Sequence, residues 1–432
     1  MARSLTGKIA FNTVVQIAGK VVTVFFALLT TVLLVGYLGK TGFGDYIYVI
    51  TLLILFGCLA DWGTSTIGAR EAAKNPSRQA VLLGQFFLFK AVFSFLAVIG
   101  LLLFLPRAVI WMALFLLFKS GRDFLAMVWQ ARLQMHKTAI VDMIASGLIL
   151  FISWLFVRLG LGVDQLLFGY LLATVLALGA GIFLMRGQLH WQFSFQPAIF
   201  KPLLGEVLPM GAILLMFTID NKIDTLMLGI IKGSDAVGIY GLAYRVYDVL
   251  ILGAAFLMNA LLPVFARWGD VEQWGSKLRQ TYQKAFDILL VGGFLLAATV
   301  YWLAPVIIGL LTRQRFVEFA QAVEVMRLLT VAVFLAYLNH LTGYTIVALG
   351  KQRPYFLVAL SALIFNVTAN LVVMPRFSYY GAAVVTIFTE ALVLLITTVF
   401  IFKLLHFVPS LVSFPRTLMQ LTKQAAKNVF LS

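Results

Sequence analysis

Basic side chains occur inside stretches of sequence that are otherwise apolar enough to cross a bilayer. A charge held in hydrocarbon costs free energy and usually has a function, such as lining a path for a polar solute. A water-filled cavity with excess positive charge at membrane depth would favour an anion. These residues therefore predict a transporter of a negatively charged compound, and they are Lys20, Lys90, Lys119, Arg122, Lys222 and Arg245.

The composition predicts the fold class. Hydrophobic residues make up 62% of the 432 residues and charged residues only 12%, which excludes a soluble globular domain. Apolar runs of about 20 residues, enough to cross the hydrocarbon core, recur along the chain. We therefore predict an all-α polytopic membrane protein with about twelve transmembrane helices, at 9–38, 43–64, 79–105, 107–131, 138–158, 162–185, 202–231, 236–266, 284–311, 321–349, 354–374 and 379–406.

The distribution of lysine and arginine predicts the orientation. Most of these residues outside the spans fall on one side if the N-terminus is cytoplasmic, as the positive-inside rule requires. We expect a multi-pass protein of the plasma (inner) membrane with both termini in the cytoplasm. This asymmetry and the intramembrane bases supply much of the net charge of +16, which argues against nucleic acid as a partner. The single cysteine, Cys58, gives no support for a metal, redox or disulfide role, and no cofactor is predicted.

Two short patterns recur in the two halves of the chain. Residues Thr31, Gly39, Gly44 and Tyr46 match Thr225, Gly233, Gly238 and Tyr240 at a constant offset of 194 residues, in the turn after the first helix of each half. Leu133 and Lys137 match Leu349 and Arg353 at an offset of 216, between the fourth and fifth helices. Halves with an even number of helices form a parallel repeat, and the substrate site is expected at their interface.

The repeat predicts the domain organisation. We expect an N-terminal six-helix lobe at 1–190, a cytoplasmic linker at 191–201 and a C-terminal six-helix lobe at 202–406. The tail at 407–432 mixes basic and apolar residues, which predicts either an amphipathic helix on the inner leaflet or a disordered segment.

The order of several motifs resembles a known family. Asn12 and Gln16 lie in the first helix, and the motifs that follow are Leu38-Gly39, Gly42 to Tyr46, Asp61-Trp62-Gly63, Arg70-Glu71, Leu228-Gly229, Val237 to Tyr240, Ala243-Tyr244-Arg245 and Ala348 to Lys351. Together they resemble the polysaccharide-biosynthesis flippases, which carry O-antigen and capsule repeat units. That family is part of the multidrug, oligosaccharidyl-lipid and polysaccharide (MOP) exporter superfamily.

The resemblance implies a fold and a function. The fold would be MATE-like, with a V-shaped pair of six-helix lobes around a central cationic cavity. The function would be alternating access that carries a polyprenyl-pyrophosphate-linked oligosaccharide from the inner to the outer leaflet, with no enzymatic activity. Membrane lipids, a proton or sodium ion, and a polysaccharide polymerase or ligase are the partners that this implies.

Four basic residues are candidates for binding the pyrophosphate, because arginine binds it in forked geometry and lysine as a point charge. They are Lys20, Lys90, Lys222 and Arg245. Lys20 has no acid within its own helix, which favours a role in binding. Asp220, Asp224 and Asp248 lie near Lys222 and Arg245 in sequence, so those two bases could instead form structural ion pairs. Both interpretations stay open.

Acidic residues are candidates for ion coupling and gating. Glu390 lies about eleven residues into the last predicted helix with no base nearby in sequence. It could couple transport to protons or sodium, or be a neutral, hydrogen-bonded core residue. Asp224 and Asp248 are further candidates for ion coupling, and Asp61 with Arg70 is expected to form a cytoplasmic gate or a solvated helix end. Lys119, Arg122 and Asp123 are spaced for a local ion pair.

Other functions fit the sequence less well. An ion-coupled multidrug antiporter of the same superfamily is the first alternative, but nothing acidic occurs before Asp45. A lipid II-type flippase is the second, and twelve spans disfavour it. A membrane glycosyltransferase or polymerase would need an extramembrane catalytic loop, for which the predicted loops are too short.

Overall fold

The computed structural model describes residues 5–104, 110–186, 196–267, 271–415 and 418–419. These ranges are helical and contain no strand. The helices are α1 (Leu5–Asp61), α2 (Thr64–Lys74), α3 (Gln79–Phe104), α4 (Ile110–Ala131), α5 (Met135–Arg158), α6 (Val163–Met185), α7 (Pro197–Lys232), α8 (Ser234–Leu250), α9 (Leu252–Arg267), α10 (Val271–Thr312), α11 (Gln321–Ala348) and α12 (Gln352–Leu405). Short 3₁₀ segments follow α2, at Pro76–Arg78, and α10, at Arg313–Phe319.

The helices confirm the all-α membrane class. Within the described ranges, nine helical segments are long and apolar enough to cross a bilayer. Helix α4 is not among them, because Lys119, Arg122 and Asp123 exceed the charge expected of a span. Two of the nine segments contain a break, at Gly39 and at Ser378, where the sequence predicts a turn between two spans. The count of twelve spans stays a prediction.

Two differences from the expected spans concern polar parts of the sequence. Helix α10 begins at Val271, well before the predicted start at 284, because its first turns are polar and a hydropathy pattern does not register them. Helix α2 was not predicted, since its eleven residues include Arg70, Glu71 and Lys74 and are too few to cross a bilayer.

The first repeated turn has the same backbone conformation in both halves. Gly39 has φ 66° and ψ −173°, and Gly233 has φ 80° and ψ −176°. This combination of dihedral angles is essentially restricted to glycine, because a Cβ atom would clash with the backbone. Each glycine therefore separates two helices within a single residue.

The second repeated turn also recurs, with a small change of register. Gln134 N donates to Trp129 O at 2.8 Å and Leu133 N to Gln130 O at 3.1 Å. The same pair of bonds forms from Lys351 N to Ile346 O and from Gly350 N to Val347 O, both at 3.0 Å. This is the Schellman arrangement, with the left-handed residue at Leu133 (φ 55°) and Gly350 (φ 72°). The structural offset is 217 residues, one more than the sequence match at Leu349 indicated.

The chain divides by proximity into two compact units, each described by itself. Unit 1 contains Met1–Gly229 with Leu310–Arg315, and unit 2 contains Ile230–Gly309 with Phe316–Ser432. Most of α7 therefore groups with unit 1, although the sequence prediction assigned it to the second lobe. The compact units reflect which residues lie close together, whereas the two six-helix lobes were predicted from repeated sequence patterns. The two lobes therefore stay a prediction.

Close contacts hold the segments of unit 1 together. A Cβ atom at Gly19 would lie 2.8 Å from Ala139 Cβ, so α1 and α5 approach closely there. Trp62 packs against the backbone of Gly211, which holds the break between α1 and α2 against α7. The guanidinium of Arg315 donates to the carbonyl oxygens of Gly36 (2.8 Å) and Tyr37 (3.3 Å).

Helix α11 is the central element of unit 2. It packs against α8, α9 and α12, and most of its length is buried. Polar groups in this core bond one another, as between Thr342 Oγ1 and Thr397 Oγ1 at 2.9 Å. Interhelical hydrogen bonds of this kind stabilise helix packing in membranes.

The predicted linker and tail are described only in part. Residues 191–195 of the linker lie outside the described residues, and α7 begins within the remainder, at Pro197. Residues 407–413 of the tail are irregular with a turn at 411–412, residues 414–415 are helical, and most of the tail beyond them lies outside the described residues.

Candidate functional site

A buried ion pair joins the end of α1 to the middle of α3. The ammonium of Lys90, whose side chain is only 3% exposed, pairs with the carboxylate of Asp61. It also donates to Ser65 Oγ at 3.0 Å and Thr64 Oγ1 at 3.3 Å. The break at Trp62 and Gly63 positions these groups, because it lets the first turn of α2 face α3. All three donor positions of the ammonium are thereby occupied.

Two more ion pairs lie on α4. Lys119 Nζ lies 2.6 Å from Asp123 Oδ2 one turn later, as the spacing predicts. Arg122 does not join that local pair. Its Nη2 lies 2.7 Å from Asp142 Oδ1 on α5, and its buried Nε has no hydrogen-bond partner among the described residues.

Lys20 completes this group of charges. Its side chain is exposed, and it interacts electrostatically with Asp142. The close contact of Gly19 with Ala139 brings Lys20 to the level of Asp142 on α5. Since an ammonium that faces lipid is costly, an exposed lysine within a candidate span is a candidate for contact with a polar ligand.

These residues form one electrostatic network, here called the charged cluster. Lys119 interacts with Asp61, and Lys90 with Asp123, which links the separate ion pairs. The cluster has one more cation than it has carboxylates. Its bases are Lys20, Lys90, Lys119 and Arg122, and its acids are Asp61, Asp123 and Asp142. Such an excess suits an anionic ligand.

Asp61 and Arg70, the residues of the predicted gate, have different partners among the described residues. Arg70 is half-exposed and pairs with Glu71 on α2, at 2.9 Å, and with Glu206 on α7. Asp61 instead pairs with Lys90, because α2 turns its basic residues away from the end of α1. A gating role for Asp61 and Arg70 stays a prediction.

The other predicted site residues fall in both units. Lys222 is half-buried and Asp224 is buried on α7 in unit 1, and Arg245 and Asp248 are half-buried on α8 in unit 2. Each of the four has at least one further polar, ring or electrostatic partner, so none is a free charge. Their roles in substrate binding or ion coupling stay predictions.

Glu390 is held by neutral donors in unit 2. Tyr247 Oη donates to Glu390 Oε1 at 2.9 Å, and Asn339 Nδ2 donates to Glu390 Oε2 at 2.6 Å. Among the described residues Glu390 forms no ion pair, and no group of acidic, histidine or cysteine side chains could hold a metal ion. The geometry fits a carboxyl group that is hydrogen-bonded within the core.

Three partners were missed at the sequence level. Asp142 could have been found, since it is an acid inside the predicted span 138–158. Tyr247 and Asn339 carried no signal, because they lie 143 and 51 residues from Glu390 along the chain. Tyrosine and asparagine are also ordinary residues of helix interfaces.

Residues 9–268 match the family described as polysaccharide biosynthesis protein, and this match covers more than half of the chain. The chain belongs to that family. Residues 209–372 also match the MatE family. Family and fold together place the chain in the MOP superfamily, among transporters and flippases rather than enzymes. A search among curated proteins finds no match.

Several solved structures share the fold of this family member. An inward-facing MATE multidrug resistance transporter of the MOP superfamily matches with a TM-score of 0.73 and 14% identity, over 91% of this chain and 98% of that one. The lipid II flippase MurJ in an inward closed conformation matches with a TM-score of 0.69 and 13% identity, over 96% and 98%. A MOP superfamily transporter from Pyrococcus furiosus Vc1, described as having a binding pocket of reverse polarity, matches with 0.64 and 14%, over 92% and 96%. At these identities the likeness shows the fold alone.

Proposed function

We propose that this protein is a flippase for a polyprenyl-pyrophosphate-linked oligosaccharide, the repeat unit of an O-antigen, capsule or exopolysaccharide. It moves the pyrophosphate and glycan from the inner to the outer leaflet by alternating access. The charged cluster of unit 1 is the observation that carries this proposal. Membership of the polysaccharide biosynthesis protein family supports the glycan part of the substrate.

The cluster has the chemistry to bind a pyrophosphate. A pyrophosphate offers several acceptor oxygens and at least two negative charges, which match lysine ammonium groups and a forked guanidinium. Lys20 is exposed, and Arg122 Nε is a donor that no described residue uses. These two groups are the first contacts in the proposal.

The carboxylates of the cluster explain how the site stays stable when empty. Asp123 and Asp142 neutralise Lys119 and Arg122, so Lys20 is the one base of the described cluster that forms no ion pair in the free protein. The substrate replaces this pairing with phosphate oxygens while it crosses. Lys222 and Arg245 provide the corresponding contacts on α7 and α8 in the proposal. Neither lobe orientation nor the coupling ion enters this step.

Leaflet exchange in proteoliposomes tests the proposal. A fluorescent polyprenyl-pyrophosphate oligosaccharide is reconstituted with wild type, Lys20→Ala, Arg245→Ala or the control Lys277→Ala, which alters an exposed lysine on α10 outside the cluster. We expect exchange by wild type and by the control Lys277→Ala. Lys20→Ala and Arg245→Ala should lose exchange while they remain folded. Equal exchange by all four proteins would contradict the proposed site.

Two related functions have support from the comparisons. The MatE match over 209–372 favours an ion-coupled multidrug antiporter, and the fold is shared with a lipid II flippase. If wild type exchanges lipid II but not the oligosaccharide substrate, the protein is a lipid II flippase. If it exchanges neither lipid but drives cationic dye efflux under a proton or sodium gradient, the protein is an ion-coupled multidrug antiporter.

A further inference from the structure

The chain that leaves α12 folds back onto the beginning of α10. Helix α12 ends at Leu405, and His406 adopts the left-handed conformation at φ 46° and ψ 46°. Its backbone N donates to Phe402 O at 2.8 Å, which closes the last turn. Residues 407–413, here called the strap, then run beside the first turns of α10.

Polar side chains of α10 fix the strap. Arg279 donates from Nε and Nη2 to Leu405 O, at 2.9 and 2.6 Å. Gln283 donates to Ser410 O and accepts from Ser410 N, at 2.9 and 2.8 Å. Ser413 Oγ donates to the buried carboxylate of Asp287 at 2.7 Å. The strap is therefore a built part of unit 2.

A cavity of about 350 Å³ lies between the strap and α10. This volume is in the range of pockets that bind small ligands. Arg279, Gln280 and Gln283 line it from α10, and Phe407, Ser410 and Val412 line it from the strap. Its wall thus combines a cation, amides and a hydroxyl with two apolar side chains.

Two donors in this wall have no hydrogen-bond partner in the described ranges. They are Arg279 Nη1 and the side-chain amide of Gln280. The carboxylate of Asp287 already accepts from Ser413 and Gln283. Lys284 on α10 and Lys403 on α12 add positive charge at the same end of these helices. The cavity therefore favours an anion over a cation.

The cavity lies at the boundary of the membrane. The candidate span that contains α10 begins at Gly275, and the candidate span that contains α12 ends at Leu405. Both of these ends lie beside the cavity. Lipid headgroups occupy this level, and the predicted orientation makes it the cytoplasmic side.

We propose that this cavity binds the phosphate group of an anionic phospholipid. Arg279 Nη1, the amide of Gln280 and the hydroxyl of Ser410 donate to the phosphate oxygens, and Phe407 with Val412 contacts the glycerol and upper acyl chain. Since Arg279 also holds the last carbonyl of α12, a bound headgroup links the ends of α10 and α12. This proposal is independent of the flippase substrate.

Binding of a short-chain lipid tests the site. The purified full-length protein in detergent is titrated with dioctanoyl phosphatidylglycerol, with dioctanoyl phosphatidylcholine and with inorganic phosphate, and bound ligand is counted by native mass spectrometry. We expect phosphatidylglycerol to bind wild type and to bind Arg279→Gln about tenfold more weakly, because a charged hydrogen bond is lost. Lys277→Gln, which removes one positive charge two residues away, is the matched control and should bind as wild type does.

Gln280→Ala separates binding from folding. Gln280 bonds no described residue, whereas Arg279 holds the end of α12, so only the Arg279 variant is exposed to loss of structure. Weaker binding by Gln280→Ala, with an unchanged unfolding temperature, supports the site. Inorganic phosphate binding with the same dependence on Arg279 would identify free phosphate as the source. Equal phosphatidylglycerol binding by Arg279→Gln, Gln280→Ala and Lys277→Gln would overturn the proposal.

Discussion

The two units hold their intramembrane carboxyl groups in different ways. In unit 1, Asp61, Asp123 and Asp142 each pair with a lysine or arginine. In unit 2, Glu390 accepts from a phenol and an amide and pairs with no described cation. The first arrangement retains formal charge in the membrane, whereas the second needs none.

The donors in the two units occupy equivalent positions of the repeat. Arg122 lies eleven residues before the left-handed residue Leu133, and Asn339 lies eleven residues before its counterpart Gly350. Each donates to a carboxyl group on another helix of its own unit. The same helical position therefore provides a cation in one unit and a neutral amide in the other. This difference teaches that the turn and the position of a donor before it recur, while the charge of the donor and its partner have diverged: Asp142 lies on the helix directly after the turn, and Glu390 lies beyond the break at Ser378.

The largest effect is expected from breaking the buried pair of unit 1. Lys90→Met leaves Asp61 without its cation, which costs about 3 to 5 kcal/mol when the pair is desolvated. The double variant Lys90→Met with Asp61→Leu removes both charges and should recover most of that loss. The midpoint of thermal unfolding in detergent measures both. Lys74→Met, which removes the exposed partner of Glu71, is the control and should change stability by less than about 1 kcal/mol.

The turn glycines test what the units share. Gly39→Ala and Gly233→Ala each place a Cβ atom in a backbone conformation that is nearly exclusive to glycine, at a cost of about 1 to 3 kcal/mol. Because the dihedral angles match, the two losses should be similar in thermal unfolding. Gly36→Ala is the control, since Gly36 is helical and a Cβ there meets no atom within 4 Å. A loss at only one of the two turns would show that the repeat is not energetically equivalent.

The neutral network of unit 2 should be less sensitive than the ion pair of unit 1. Asn339→Ala removes one of two donors to Glu390 and should cost about 1 to 2 kcal/mol, the penalty for an incompletely satisfied buried acceptor. Glu390→Gln keeps the shape of the side chain and should cost about 1 kcal/mol or less, as measured by thermal unfolding. A loss as large as that of Lys90→Met would mean that Glu390 is held as a charge.

The smallest effect on stability is expected when Arg122 of unit 1 is replaced by asparagine, the residue type that donates to Glu390 in unit 2. Asp142, the partner of Arg122, is half-exposed, so Arg122→Asn should change the free energy of unfolding by less than about 1 kcal/mol. Oligosaccharide exchange should nevertheless fall about tenfold or more, because a forked donor to the pyrophosphate is lost. Unchanged exchange with unchanged stability would remove Arg122 from the proposed contacts.

The fold could be predicted from the sequence where single segments carry the signal. Apolar length gave the span ends of α3, α6 and α11 to within a residue or two, because hydropathy is a local property. The turn at Gly233 could be predicted because it repeats the pattern at Gly39. The polar start of α10 and the short helix α2 could not, since nothing apolar marks them.

The candidate site could be predicted only by residue type. The sequence identified Lys20, Lys90 and Glu390 as unusual at membrane depth, but their partners come from other helices. Only Lys119 and Asp123, four residues apart on one helix, formed a pair that spacing could predict. Cross-helix pairs depend on how helices rotate against one another, and that rotation is set by close contacts such as Gly19 with Ala139.

The turns at Gly39 and Gly233 also bear on how the protein is made. A break that takes one residue leaves almost no polar chain to be carried through the hydrocarbon between consecutive helices. The two arms of α1 can therefore enter the bilayer together, instead of one after the other. The ribosome must then release both arms before either is committed to the membrane.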